Sequence, residues 1–205
     1  MMVSQLEYMK AEELLNMYGI KVVPAKYVKG ADEAVRFSDG DAIVLKAIPS
    51  KPAHKSKSGL VAIDLKTPEE IRFGFGKVRK AAHKFAPYKI LAQKMVKGTE
   101  IIVGGRQDAQ FGKLILIGLG GVNVEVFRDF SLRLCPITNY DAESMITQLK
   151  SRSIIASSDK QFKMVKELLM KASKLMSDND ISELDLNPII LHDDTYHAVD
   201  LRIIK

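Results

Sequence analysis

Residues 183–203 read ELDLNPIILHDDTYHAVDLRI, two runs of alternating apolar and polar residues around Asp193-Asp194. Alternation of this kind is the period-2 signature of half-buried strands, and an acidic turn pair between two such runs makes a β-hairpin. Symmetric pairing about the turn sets His192 opposite Thr195, Asn187 opposite Asp200 and Asp185 opposite Arg202. Asp185, Asn187, Asp200 and Arg202 then share one face, with directly paired β-carbons about 5 Å apart. Leu184, Leu186, Ile190, Val199, Leu201 and Ile203 make the other face, an apolar set for the core. Two carboxylates and an amide oxygen at one end of a face repel one another unless a cation lies among them. Oxygen donors of this kind suit Mg²⁺, which takes one or two carboxylates and keeps its other positions for water and substrate phosphates. An Asp185–Arg202 salt bridge with Asp200 in solvent is the alternative, and register alone does not choose.

Working outward, helices are expected over 141–150 and 159–176, the second capped by Ser158. Strand-like runs at 113–119 and 122–134 flank Gly120-Gly121 and read as another hairpin, preceded by strands at 89–96 and 100–104. Thr67, Pro68 and Glu70 open a helix with cap, N1 proline and capping-box acid in place; it runs to about Phe85, and Pro87 closes it. A strand over 60–65 precedes it, and DAIVLKAI at 41–48 has the near-continuous apolar run of a strand buried on both faces. A short strand is expected at 20–23, ended by Pro24, and a first helix from a Ser4/Glu7 capping box to Gly19. The fold class is α+β, with a seam near Ala92 dividing 1–92 from 93–205 as two α+β lobes sharing a cleft.

Composition narrows the function classes. The 205 residues are 46% hydrophobic, which excludes a disordered chain, and 13 Gly with 7 Pro exclude a collagen-like one. No apolar run approaches the roughly 20 residues that cross a bilayer, and MMVSQLEYMKAEELL has no signal-peptide core. Cys135 stands alone, so an internal disulfide or a thiolate metal cluster is excluded. A cytoplasmic, soluble protein is expected. The net charge of +6 suits a polyanionic partner: nucleic acid, a membrane surface or a phosphorylated small molecule.

Lys46 lies mid-strand in AIVLKAI, where a buried ammonium has to meet a carboxylate or an anion unless it snorkels to the surface. The loop PSKPAHKSKSG brings Lys51, His54, Lys55 and Lys57 into one short segment. It has the make-up of a phosphate-facing flap with His54 as a phosphoryl nucleophile, or of ordinary solvated lysines. GLGG at 118–121 is not a dinucleotide fingerprint, since β pattern follows it, and no P-loop motif occurs. The helix from Pro68 carries Arg72, Lys77, Arg79, Lys80, His83 and Lys84 without any stacking-aromatic signature of a nucleic-acid reader.

Four stretches in series, IVLKAIPSKPAHKSKSGLVAIDL, ILAQKMVKGTEIIVGGRQDAQFG, LILIGLGGVNVEVFRDFSLRLCPI and ELDLNPIIL with AVDLRI, resemble the ATP-grasp β subunit of ADP-forming acetyl-CoA synthetases. These enzymes are related to succinyl-CoA synthetase. The resemblance implies an ATP-grasp fold whose two lobes enclose a nucleotide cleft. It also implies a role in acyl-CoA + ADP + phosphate = acid + CoA + ATP, with Mg²⁺ and ATP or ADP bound. A separate α subunit would carry the CoA-binding and phosphohistidine domains, in an assembly such as α2β2.

By position, the resemblance makes Lys46 the lysine that holds nucleotide phosphates and His54 the relay to the partner's phosphohistidine. Gln93, Lys94, Met95 and Val96 become the hinge whose backbone meets adenine, and Glu100 the acid beside ribose and phosphates. Asp185, Asn187 and Asp200 become the metal set. Glu125, Asp129 and Arg133 line the site after the double glycine, with Glu125 and Arg133 among the catalytic residues. The chain departs from the family pattern at Lys57, where an acid is usual, at Ser58 in place of a glycine, at Gln107, and at Lys113, where proline is preferred. Two other readings compete: a non-catalytic ATP-binding sensor with an altered flap, and a basic nucleic-acid-binding module.

Overall fold

The computed structural model describes residues 4–49, 59–121 and 129–205. The described chain separates into two compact units: Val23–Val96, and the remainder, in which the first 22 residues join those from Lys97 onward. The expected seam at Ala92 falls inside a strand, four residues before this division.

The Val23–Val96 unit runs β1 (Ala25–Val28), α2 (Ala31–Ser38), β2 (Ile43–Pro49), β3 (Val61–Leu65), α3 (Pro68–Ala82), a 3₁₀ turn (His83–Phe85) and β4 (Tyr88–Lys94). Its antiparallel sheet has the order β1-β4-β2-β3. β2 and β4 are therefore central, which is why IVLKA carries five buried residues in a row. α3 starts where the sequence places it. The Thr67 hydroxyl accepts from the Glu70 amide, the Glu70 carboxylate accepts from the Thr67 amide, and Pro68 occupies the first turn. Ile71, Phe75, Val78 and Ala82 recur at helical spacing and pack with Leu45, Ala47, Leu60 and Ala92. Each such large side chain contributes about 1.5–3 kcal/mol on burial.

The expected strand at 20–23 is not formed. Ile20 and Val23 are buried, but only a single bridge joins Val22 to Ala198, and the strand begins after Pro24. The first helix, α1 (Tyr8–Met17), also starts later than Ser4, with Glu7 as its cap. Ser4 exchanges backbone hydrogen bonds with Lys205, and the Leu6 amide donates to Ile203, so residues 4–6 run along the last strand and cannot open a helix. Gly19, at φ +66°, ends it as expected.

The other unit holds β5 (Thr99–Asp108), β6 (Gly112–Leu119), β7 (Phe130–Leu134), α4 (Asn139–Thr147), α5 (Arg152–Ile155), α6 (Asp159–Asp178), β8 (Glu183–His192), β9 (Thr195–Ala198) and β10 (Leu201–Ile204). The sheet order is β10-β8-β5-β6-β7, with β9 also paired to β8, and all pairings are antiparallel. α6 covers one face of β5 and β6, so close that a Cβ on Gly105 would lie 2.8 Å from Met176 Sδ. Val103, Ile115, Ile117, Leu184 and Leu186 fill that face together with Leu168, Ala172 and Met176.

β6 and β7 do pair, but Gly118 already faces Phe130, so Gly120-Gly121 is not a tight hairpin turn. The Gly120 amide instead donates to the Glu100 carbonyl, 2.7 Å away, and a Cβ there would fall 2.8 Å from the Glu100 carbonyl carbon. No helix among the described residues is long and apolar enough to cross a membrane.

Candidate functional site

The closing strands have the register expected from their turn. Asp185 pairs with Arg202, Leu186 with Leu201, Ile190 with His197 and His192 with Thr195. The hairpin is interrupted midway, leaving Val199 and Asp200 between β9 and β10. There the Asn187 amide donates to the Asp200 carbonyl (3.3 Å) and the Val199 amide to the Pro188 carbonyl (3.0 Å). On the other side of β8 the pairing jumps from Ile189–Ile101 to Leu186–Val103, so Asn187 and Pro188 together face Ile102. This is a β-bulge, the device by which a strand re-aims a side chain. It leaves Asn187 as the one exposed residue of β8.

The bulge also corrects the apolar face. Ile189 pairs with buried Ile101, so Ile189 takes the helix-covered side and Ile190 moves to the face of Glu100, its partner on β5. Val199, expected in the core, is only half-buried. Strict alternation fails at one residue, and every side chain beyond it changes face.

Asp185 is half-buried, and its carboxylate makes no hydrogen bond or ion pair among the described residues. Burial pushes its carboxyl above the usual carboxylate range. The nearby charge of Glu183 adds to that, Arg202 partly offsets it, and Asp200 raises it further. The alternative Asp185–Arg202 bridge is not formed: Arg202 reaches Glu183 instead, at 3.3 Å and 3.4 Å. Among the described residues no three His, Cys, Asp or Glu side chains cluster as a metal cage. The donors here are two carboxylates and an amide, which fits an ion that keeps water and phosphate in its remaining positions.

Glu100 shares this sheet face. Gly104 is the β5 partner of Asp185, and Glu100 lies four residues along the same strand. At about 3.3 Å per residue that is a span of about 13 Å, the scale of a nucleotide laid along β5. Glu100 is exposed, and its carboxylate approaches Gly121, where a Cβ would lie 3.0 Å from Oε2. Sequence reasoning read the glycine pair as a turn and missed this seat; the short interval between Glu100 and the pair in the folded sheet leaves no periodic signal.

In the other unit, Lys46 does not snorkel. It is 7% exposed, in the middle of β2 between Val61 and Leu91. Gln93 is fully buried, paired with Ala25 and Val44. The amides of Lys94 and Met95 donate to Pro24 and Ala42, and the Lys94 ammonium donates to the Ser38 carbonyl and Asp41. These bonds fix the segment as it leaves β4, with Val96 the last residue of its unit.

Arg133 lies on β7 with its guanidinium spent on α4 and its own strand. It donates to Gln148 Oε1 (2.8 Å), Ser144 Oγ (3.1 Å) and the Leu132 carbonyl (2.7 Å). The Asp129 carboxylate accepts the amides of Lys150 and Ser151. Burial works to raise its pKa, but these hydrogen bonds outweigh that and hold it low. Both side chains thus serve local structure. His54, Lys57, Ser58 and Glu125 lie outside the described residues. Among the cations of α3, Arg72 pairs with Asp32 and Lys77 sits over Phe73.

Residues 2–204 match the ATP-grasp domain family. The chain belongs to it. Among its relatives, the β subunit of acetate–CoA ligase (ADP-forming) II of Pyrococcus furiosus is 34% identical, over 98% of this chain and 91% of its own length. Acetate–CoA ligase (ADP-forming) I of Archaeoglobus fulgidus is 34% identical over 93% of this chain, but the match spans only 30% of that longer polypeptide. A solved structure of acetyl-coenzyme A synthetase 1 from Candidatus Korarchaeum cryptofilum superposes with a TM-score of 0.82 at 33% identity, covering 98% of this chain and 92% of that one. That protein was solved with coenzyme A and Mg-AMPPCP, its phosphohistidine segment pointing towards the nucleotide-binding site.

Proposed function

We propose that this ATP-grasp chain is the nucleotide-binding, phosphoryl-transfer β subunit of an ADP-forming acyl-CoA synthetase, a ligase that works together with an α subunit. The observation that carries the reading is Asp185: a half-buried carboxylate crowded by the charges of Glu183 and Asp200 on the sheet face that also bears Glu100. Similarity along nearly the whole length to an acetate–CoA ligase β subunit supports the same assignment.

Asp185, Asn187 and Asp200 hold Mg²⁺, which when bound supplies charge neutralisation to the nucleotide's phosphates. Glu100 receives the ribose end, and Lys46 holds phosphates as a second cation. The segment Gln93, Lys94, Met95 and Val96 borders the adenine. With the amides of Lys94 and Met95 already bonded, the base meets the segment's remaining backbone groups and side-chain atoms. Phosphoryl transfer depends mostly on positioning and charge stabilisation, so this inventory suffices without a strong base on the sheet. His54 accepts the phosphoryl group from the partner's phosphohistidine and passes it to ADP, and Glu125 serves as a further catalytic residue. Arg133 keeps β7 and α4 in register and supports the site from behind.

Calorimetry of Mg–ADP and Mg–ATP binding tests the reading. The native chain binds in a Mg²⁺-dependent manner, and Asp200→Asn weakens binding at least tenfold. Binding that is indifferent to Mg²⁺ and to this substitution sinks the site. His54→Ala then separates the catalytic subunit from a sensor: it keeps nucleotide affinity and loses ATP formation with the α subunit, whereas a sensor is unaffected.

A further inference from the structure

We infer that the uncovered apolar face of β7 and β6 is the surface on which the α subunit docks, an assignment that rests on the function proposed above. β7 reads FSLRL, and its alternate residues Phe130, Leu132 and Leu134 are 57%, 43% and 52% exposed. Directly beneath them, across the ladder, lie Gly118, Leu116 and Leu114, the two leucines only half-buried. Single exposed apolar residues are ordinary, but five in one cross-strand block form a contiguous patch of the sort that marks an interaction site. The intervening Ser131 and Arg133 point to the helix side, where they bond with Gln148. The patch is therefore not a strand inserted the wrong way round. Among the described residues β7 also pairs on one side only.

Two observations name the occupant. First, in the Archaeoglobus relative the matching stretch is 30% of one polypeptide, so that protein holds its remaining domains by a covalent tether. This chain matches a relative that is itself a separate β subunit. A partner that is a separate chain, as the name of that relative implies, has to be held by surface alone, and a stable interface needs about 800 Å² per side with an apolar centre. Second, the patch lies in line with the candidate metal site. Leu132 pairs with Leu116, Leu116 with Gly104, Gly104 with Asp185 and Asp185 with Arg202, one row across the sheet on one face. Three strand spacings put Leu132 about 14 Å from Asp185. A body seated on the patch thus stands beside the carboxylates, where a phosphohistidine-bearing segment has to arrive.

The test titrates the α subunit of the same organism onto the full-length native chain, Leu132→Glu and Leu132→Met by calorimetry. Mg–ADP binding to each is measured in parallel. Leu132 is surface-exposed, so both variants keep the fold and native Mg–ADP affinity. The glutamate variant loses at least 100-fold in α affinity and the methionine variant stays within a few-fold of native. Native α affinity in Leu132→Glu overturns the docking surface. So does a native chain that is a homodimer by light scattering and that Leu132→Glu disperses, since the face is then a self-interface. A native chain that binds α through Leu132 yet never binds Mg–ADP, alone or with α, overturns the nucleotide reading and leaves the docking result standing.

Discussion

At the scale of single residues, Asp185 couples the site to stability. Burial raises its pKa in the folded chain above the unfolded value. The folded form therefore holds the Asp185 proton more tightly than the unfolded form does. Stability contributed by this group is greatest at low pH and falls as pH rises through the carboxylate range. In EDTA at pH 7, Asp185→Asn is expected to raise Tm by about 1–3 °C. The gain shrinks as pH falls through the carboxylate range and the native carboxyl takes up its proton, and Mg²⁺ raises the Tm of the native chain but not of the variant. Calorimetric scans with and without the ion check all three. The pairing of Asp185 with Arg202 was legible because a turn at Asp193-Asp194 fixes the register on both strands, and register decides which side chains share a face. The bulge was not legible, since nothing in DLNPII says that Asn187 and Pro188 will face one residue of a strand some 85 positions earlier. Lys113 shows the same limit. Read only as a departure from the family's proline, it donates to the Asn179 carbonyl (2.5 Å) just beyond α6 and so caps that helix.

At the scale of elements, close approach of strands decides which glycines tolerate a side chain. A Cβ on Gly98 would lie 2.0 Å from the Leu191 carbonyl oxygen, which is backbone and cannot yield. A Cβ on Gly105 would meet the Met176 side chain at 2.8 Å, which can shift, and the Leu114 carbonyl oxygen at 3.1 Å, a milder backbone contact. Gly98→Ala is accordingly expected to cost about 3 kcal/mol or more, and Gly105→Ala about 1 kcal/mol, in urea unfolding. The long helices α3 and α6 and the central strands were readable from capping residues and apolar period. α2 and β1 were not. α2 has eight residues, a glycine cap without a side-chain bond and two buried positions, too little pattern to separate from the loop around it. β1 has four residues and hides behind Pro24.

At the scale of the whole molecule, residues 4–6 are structural neighbours of β10. Removing residues 1–6 deletes the backbone hydrogen bonds of Ser4 and Leu6 with Lys205 and Ile203. Hydrogen exchange in the truncated chain is expected to quicken at 203–205 while the amides of β2 and β4 keep their protection. Equal loss of protection in both units would show that they unfold as one. The basic excess of the composition left nucleic acid, membranes and small phosphates all open. Only the placement of particular groups, Lys46 buried mid-strand and carboxylates crowded on a face, narrowed it.

Residues 23–96 are an insertion in a unit whose own two pieces lie at the beginning and the end of the chain. On the ribosome this sets a queue. The inserted unit has all its partners as soon as Val96 emerges and can close at once. α1 is made before it, yet its neighbour β10 follows α1 by more than 180 residues. At 5–20 residues per second, the apolar side of α1 waits on the order of ten seconds or more, uncovered. α1 is thus made long before the strand it packs on, and that interval is its time of greatest need for a chaperone.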